Sequence, residues 1–552
     1  MQPLHIEDHR HKFAMERRGG SWTRLVGGVG AIILSIVLGL HLLGRQPPTS
    51  LNGPDWWATE RLKFCPESAV HIAPRHTAPS EGEWGEADEE AWLRFKWLYQ
   101  HRRFRDPPAV LKRLFWLGKS GAATCPDFAS HPLYDRIEWD LKPWRQLRAR
   151  EGRTALEAAA ARAGGMADTP EYYSFTTGRF AEEGVSGCVR NAPQHWPYWS
   201  NDPGIASFLG DLAPLLPAGI TFSFEWGDGA RAWNSLGLGA ADTFERMPNG
   251  FMSFAHQRQA GTGARFDMEL DPPAAELGKF LHRTCLLDAD QIDNHVLRHA
   301  AMHRPRMRDT GIRSPVAMFS QNKVDGCMVD ILFPTPYWLG ISGVAGSDRA
   351  WEERRPSPTV WRGTTTGTDL ASGVEEGYDW KKGHRIRLTT QFAGSEVVDA
   401  KIVGVLQCGE GRPESNCDEV EEYLRGRGAM GERLPGDYVT SFRHLLDVDG
   451  NGWSSRLPKL LWARSLVLRA GVFSSFIDGL LQPWEHYVPV RLDFADLEDR
   501  VLWAMEHEAE VRRIVANVQR DFPSATEMYD WMLCYAHFLL LEYGCLFFDL
   551  CE

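Results

Sequence analysis

Two short stretches of this chain carry residue types suited to gripping a diphosphate. Val360-Trp-Arg-Gly-Thr-Thr-Thr-Gly367 and, about ninety residues later, Leu446-Asp-Val-Asp-Gly-Asn-Gly-Trp-Ser-Ser-Arg456 each set an arginine beside glycines and small hydroxyl residues. Glycine lets backbone N–H groups approach a ligand where a Cβ would intrude. Hydroxyls donate, and a guanidinium fork matches the spacing of phosphate oxygens. Two such elements in one chain point to a nucleotide donor held from two sides.

The segments around them set the frame. Short apolar runs (Gly219 to Phe224, Val316 to Ser320, Val360-Trp361, Lys401 to Leu406) alternate with helical stretches from about residue 215 onward. That alternation predicts parallel sheets in an α/β fold. Leu460 to Arg469 reads as a helix running into a strand, Leu497 to Arg520 as one amphipathic helix, and Ala525 to Leu550 as an apolar closing helix. Thr154 to Ala163 and Glu86 to His101 are also helical, the latter with acids in its first turn and bases in its last. Proline and charge cluster at Trp351 to Pro358, where a seam between two halves is expected.

With 552 residues, the chain is long enough for two or three cores, and 43% hydrophobic against 24% charged residues fits a globular fold. A net charge of −12 argues against nucleic acid as the main partner. The 22 tryptophans suit sugar faces as well as aromatic cores.

Leu25 to Gly44 is apolar throughout and long enough to span a bilayer. Arg10, Lys12, Arg17, Arg18 and Arg24 precede it, which predicts a cytoplasmic tail (1–24), a signal anchor (25–44) and a lumenal bulk. A cleaved signal peptide is the rival reading, weakened by the length of the run and by the lack of an A-x-A-like site after it. The ten cysteines include no CxxC pair, so disulfides are expected over zinc, and Cys408 with Cys417 is placed to close a short loop. No N-x-S/T sequon occurs.

Several blocks in order resemble glycosyltransferase family 90, the capsule-associated (CAP10) xylosyltransferase and protein O-glucosyltransferase family. They are Arg102 to Pro108, Tyr134 to Trp144, Asp330-Ile-Leu-Phe-Pro-Thr-Pro-Tyr337, Trp361 to Gly367, His384-Arg-Ile-Arg-Leu388, Leu446 to Arg456 and Gln482 to Val490. They span roughly residues 95 to 520, and the final helix lies outside them. The resemblance implies a GT-B type fold, two Rossmann-like domains facing a cleft, after one transmembrane helix and a helical stem. The expected division is stem and extension 45–130, acceptor domain 131–355, donor domain 356–520 and closing helix 521–552. It also implies a UDP-sugar donor, no required metal or other cofactor, inverting transfer to a hydroxyl of a glycan or glycoprotein, and a type II protein of the Golgi or ER membrane. The fungal-type N-terminal blocks favour xylosyl over glucosyl transfer. The rival from another class is a lumenal carbohydrate-binding scaffold of the same fold that has lost catalysis.

By the same resemblance, Arg362 and Arg456 match the donor-loop and diphosphate arginines, with Gly363, Thr364, Thr365, Gly367, Asp449, Gly450 and Ser455 completing the cradle. A plain strand-to-helix turn would need the same glycines. Asp228, in Glu225-Trp-Gly-Asp228, takes the place of the general base, although the family's Asn is Glu225 here and its Pro is missing. His384, Arg385, Arg387 and His486 are candidate cleft residues, His486 equally a structural histidine. Other motifs are accidental. Asp447 to Gly452 opens like an EF-hand, but position twelve is Pro458; Gly426 to Gly431 matches GxGxxG after a helix instead of a strand. His295, His299 and His303 lack a carboxylate partner, and Asp288-Ala-Asp290 lacks a preceding strand.

Overall fold

A computed structural model of the chain describes residues 69–72, 125, 131–166, 172–181, 184–190, 204–225, 315–325, 328–334, 349–367, 370, 379–409, 415–471, 473–491, 493–525, 527–548 and 550. The expected anchor (25–44), the Glu86 to His101 helix, Asp228 and the His295 face lie outside these residues.

Eleven strands among the described residues form two sheets. The first contains β1 (Ala69–Ile72), β2 (Tyr172–Ala181), β3 (Gly184–Arg190), β4 (Thr221–Glu225), β5 (Met318–Ser320) and β6 (Ile331–Leu332), in the order β1-β3-β2-β4-β5-β6. Only its β4-β5-β6 side is parallel; β1, β3, β2 and β4 pair antiparallel. The strands from residue 215 onward are thus parallel, as the alternation predicts, while the earlier β1-β3-β2 ribbon departs from a Rossmann-like first half. Ala181 pairs with Gly184, so a tight connection joins β2 to β3 and forces them antiparallel.

The second sheet contains β7 (Thr359–Gly363), β8 (Val398–Ile402), β9 (His444–Val448), β10 (Leu466–Ala470) and β11 (Val488–Pro489). Its order is β11-β10-β9-β7-β8 and every ladder is parallel. Counted from β7, this is the doubly wound 2-1-3-4-5 order. The chain steps outward from β7 to β8, then reverses to β9 on the other side of β7. Such a reversal opens a crevice at the carboxyl ends of the two strands, where ligands bind in open α/β sheets.

Side chains alternate across this sheet with period two. Val360, Leu445 and Val467 face an apolar cluster that is continuous with the core of the first sheet. Trp361, Leu446, Val448 and Leu468 face a second cluster containing Ile386, Leu388, Val420, Leu424 and Val501. Both β9 and β10 are buried along their whole length and mostly apolar, interrupted by the buried His444, Asp447 and Arg469.

Among the described residues nine α-helices cover the sheets: α1 (Asp135–Glu151), α2 (Arg153–Met166), α3 (Gly204–Leu212), α4 (His384–Gln391), α5 (Cys417–Gly426), α6 (Leu457–Trp462), α7 (Leu497–Glu506), α8 (Glu508–Asp521) and α9 (Met528–Phe548). The stretch read as one helix, Leu497 to Arg520, is two, because His507 leaves helical geometry (φ −116°, ψ 52°) between α7 and α8.

Helix α9 is long and apolar enough to cross a membrane, but most of it is buried against α1, α2 and α3 in the core of the first sheet. Cys534 on α9 is disulfide-bonded to Cys125, 409 residues away, so the end of the chain is stapled to its first half. Cys408–Cys417 is the short loop expected from spacing. The proline-rich seam packs onto the second sheet: buried Arg354 donates to the carbonyls of Ala463 (2.5 Å) and Arg464 (3.0 Å) and to Ser465 Oγ (2.8 Å).

Candidate donor site at the strand reversal

The two chemistry-bearing stretches of the sequence are the loops that leave β7 and β9, the strands on either side of the reversal. They touch. Gly367 has φ +95°, and a Cβ there would lie 2.7 Å from the carbonyl oxygen of Gly450. Its N–H donates to Asn451 Oδ1 at 2.8 Å, which ties the end of one loop to the turn of the other. Only glycine permits both the backbone angle and the approach.

Arg385, on the first turn of α4, sews the loops together from behind. Its guanidinium donates to the Asp449 carbonyl (2.8 Å), the Thr364 carbonyl (3.2 Å), Thr366 Oγ1 (2.7 Å) and the Val448 carbonyl (3.4 Å). It is buried and lies 5.4 Å from the Trp361 ring centroid. Arg456 approaches the same ring at 5.3 Å and donates through one nitrogen to the Arg362 carbonyl. Its other terminal nitrogen, Nη2, is buried with no hydrogen-bond partner among the described residues. Two guanidinium groups thus converge on one buried tryptophan of β7, and one retains an unspent terminal nitrogen. That arrangement favours an anion.

Negative charge lies behind them, not in front. Asp447 at the end of β9 is buried and accepts from Ser454; burial pushes its carboxyl up, while Arg456, Arg469 and Arg385 pull it down. Asp449 accepts from the Phe473 N–H at 3.1 Å, and a Cβ on Gly471 would lie 2.7 Å from its Oδ1. Its carboxylate anchors the loop after β10.

Residue 474, next in sequence, belongs to a charge network reaching into the first half. Ser474 Oγ donates to Asp325 Oδ2 (2.6 Å), and Ser474 and Lys323 exchange backbone hydrogen bonds. Arg136 on α1 grips Asp325 with both fork nitrogens (2.7 and 2.8 Å) and meets Asp140 at 3.0 Å; Lys323 Nζ meets Asp140 at 2.8 Å. All five side chains are buried. Positions 473 and 474 therefore join the loop after β9 on one side to an ion network of the first half on the other.

Residues 314–548, which include both loops, match the family model described as "Glycosyl transferase family 90". The chain carries a glycosyltransferase family 90 domain. The match includes α9, which the ordered sequence blocks had left out. Among similar proteins, Protein O-glucosyltransferase 2 of Danio rerio is 34% identical over 104 residues, 19% of this chain and 21% of that protein. Protein O-glucosyltransferase 3 of Rattus norvegicus is 32% identical over 107 residues, 19% and 20%. The O-glucosyltransferase LpsA of Dichelobacter nodosus is 32% identical over 81 residues, 14% and 26%. The chain spans about a fifth of the length of the first two relatives.

Within the family 90 domain the sequence-predicted residues divide. Thr364, Gly367, Asp449, Gly450, Arg385 and Arg456 gather at the crevice, with half-buried Ser455 immediately before Arg456. Gly363 closes β7, where a Cβ would strike the Trp361 ring. Thr365 is committed to the scaffold: its hydroxyl donates to the Leu406 carbonyl (2.7 Å) and accepts from the Leu406 N–H (2.8 Å).

The guanidinium of Arg362 is likewise occupied, by Asp399 Oδ2 (2.7 Å) and the carbonyls of Asp399, Trp361 and Glu432. It is the Arg362 carbonyl that faces Arg456.

His384 stacks on Phe494 with centroids 4.7 Å apart. Arg387 is exposed and donates to the Asp493 carbonyl. His486 Nδ1 accepts from the Gln482 N–H (2.9 Å), so a neutral ring carries its proton on Nε2, facing Asp521 (3.1 Å); burial lowers its pKa. That is a structural role.

Sequence reasoning missed Trp361 as the platform for two cations, and Thr366 and Asn451 as loop ties. All three lie inside the quoted stretches. An Asn set between two glycines, a sequence suited to a tight turn, was the usable signal for Asn451.

Proposed function

We propose that this protein transfers a glycosyl group from a UDP-sugar to a hydroxyl with inversion. The observation that carries the reading is the convergence of Arg385 and Arg456 over Trp361, at the strand reversal, with Arg456 Nη2 unspent. A diphosphate placed there would take its charge neutralisation from Arg456, while Thr364 and Thr366 offer hydroxyls at the rim and Arg385 keeps both loops in register.

In the reaction, the acceptor oxygen forms a bond to the anomeric carbon as the bond to the UDP oxygen breaks. The electron pair leaves with UDP, and a carboxylate takes the acceptor proton. Asp228 is our candidate for that base, on the resemblance of its segment. Arginine supplies the charge stabilisation in this scheme, so the expected reaction needs no metal or other cofactor.

Donor sugar and acceptor divide the candidates further. The names of the relatives support glucosyl transfer, the N-terminal blocks xylosyl transfer, in either case to a glycan or glycoprotein. The disulfides Cys125–Cys534 and Cys408–Cys417 support an oxidising compartment. With the apolar Leu25 to Gly44 segment, this supports our reading of a type II protein of the Golgi or ER membrane with its bulk in the lumen.

The test is release of UDP by the purified full chain from UDP-xylose, UDP-glucose and UDP-galactose, with and without glycan acceptors. Turnover of one donor supports transfer, and Asp228→Asn should abolish it. Tight UDP binding with no turnover across a broad acceptor panel would instead support a carbohydrate-binding scaffold.

A further inference from the structure

Helix α4 presents a buried and an exposed basic face. Arg385 is buried against the donor loops, while Arg387, two positions on and about 200° around the helix, is exposed. The outer face opens onto a groove of about 440 Å3 lined by Lys381, Lys382, Arg387, Thr390, Gln391 and Arg427. Four cations line it and no carboxylate does, in a chain whose net charge is −12.

Like charges gathered in one concavity repel, so composition does not explain the cluster. Local carboxylates offset these charges only in part, Asp493 acting on Arg387. Lys381 Nζ lies 5.4 Å from the ring centroids of both Trp380 and Tyr423, and Arg427 lies 5.4 Å from Tyr423. A ring face holds a cation without consuming its N–H donors, so Tyr423 gathers two cations and leaves them able to bond. Lys382 has no ion pair or hydrogen bond from its side chain among the described residues. Arg387 gives one bond to the Asp493 carbonyl, and the Asp493 carboxylate is taken by both fork nitrogens of Arg491.

We propose that this groove is a binding site for a compact polyanion bearing two or more phosphate groups, separate from the donor loops. The groove is open, and single exposed ion pairs bind weakly. A lone carboxylate would gain little there. A ligand that presents several charges at once to two ammonium and two guanidinium groups gains from each, and guanidinium forks match phosphate oxygens. The phosphates can come from a soluble polyphosphate or from a phosphorylated lipid headgroup.

The proposal does not depend on the donor reading. Tripolyphosphate is titrated into the full chain and into the Lys382→Glu/Arg427→Glu variant, with saturating UDP present, and in parallel into Arg456→Ala. Both substituted side chains are exposed, so the fold is expected to persist, checked by an unchanged melting temperature. The expected result is binding that weakens with salt, falls at least about tenfold in the charge-reversed variant and is unaltered in Arg456→Ala.

A second arm compares flotation with phosphatidylcholine vesicles with and without about 5% phosphatidylinositol 4,5-bisphosphate. Variant-sensitive binding to the doped vesicles assigns the phosphates to a lipid. Binding of tripolyphosphate alone assigns them to a soluble ligand. If neither probe binds at physiological salt, or both bind the charge-reversed variant as they bind the wild type, the proposal is overturned.

Discussion

Gly367 and Gly450 meet so closely that a single methyl group on the first would sit 2.7 Å from the carbonyl oxygen of the second. One glycine ends the loop after β7 and the other begins the loop after β9. Their contact brings together two loops that sequence alone separates by more than eighty residues.

Gly367→Ala should therefore damage donor binding more than stability. The φ of +95° costs an alanine about 1–3 kcal/mol, and the carbonyl must also move. We expect the KM for donor to rise at least about tenfold. Gly428→Ala is the control: it also has positive φ (+65°), but nothing lies within 4 Å of its Cβ position. It should lower the melting temperature and leave KM alone. Equal KM effects in the two variants would contradict this account of the loop contact.

Arg385 should not be replaceable by lysine. It spreads four hydrogen bonds over both loops, and a lysine ammonium, a compact point charge, cannot reproduce that fork. Arg385→Lys is expected to raise donor KM nearly as much as Arg385→Ala, although it keeps the charge. Full rescue by lysine, read by steady-state kinetics, would mean that charge alone matters at this position.

Asp325 should matter to both stability and donor binding. Asp325→Ala leaves Arg136 buried with one carboxylate fewer, a loss on the order of 3–5 kcal/mol. The milder Ser474→Ala removes only the hydroxyl that reaches Asp325. Because Phe473 holds Asp449, we expect Ser474→Ala to raise KM for the donor with little change in melting temperature. A variant that melts earlier and binds donor normally would confine the network to folding.

Acid should destabilise the fold below about pH 6.5. Burial holds His537 at about 3, and burial with the nearby Arg443 charge holds His444 at about 4. Both are depressed, so below the unfolded value near 6.5 the unfolded chain binds more protons. Stability then falls by about 1.4 kcal/mol per pH unit per histidine. Burial pushes Glu542 the other way, to about 7, against the pull of Arg145. This raised carboxyl favours the fold at low pH and loses that contribution as pH rises from about 4.5 through 7. Two histidines outweigh one glutamate, so the melting temperature should peak near neutrality. Glu542→Gln should raise it more at about pH 8 than at about pH 5. A gain that is the same at both would refute the buried-carboxyl assignment.

Local signals in the sequence were reliable where one element decided the outcome. The helix–strand pair α6–β10, the nine-residue Cys408–Cys417 spacing and the two glycine loops could all be read directly. What escaped depended on partners distant in sequence. Cys125–Cys534 spans 409 residues, and Arg136 meets Asp325 across 189. Nothing local marks either.

Arg362 had the composition of a ligand-binding arginine, but strand pairing of β7 with β8 brings Asp399 within its reach and occupies the fork. Its neighbour in function, Arg456, stands at a helix start where no such strand partner competes. The antiparallel half of the first sheet was hidden because apolar alternation does not report direction; Gly184 just after β2 was the available turn signal.

The central claim is that Arg456 grips a diphosphate at the strand reversal. Calorimetric binding of UDP and of uridine to wild type and Arg456→Ala tests it most directly. We predict that the substitution weakens UDP binding by about a hundredfold, near the loss of one charge-assisted fork, and changes uridine binding little. Equal weakening of both ligands, or none, would contradict the claim.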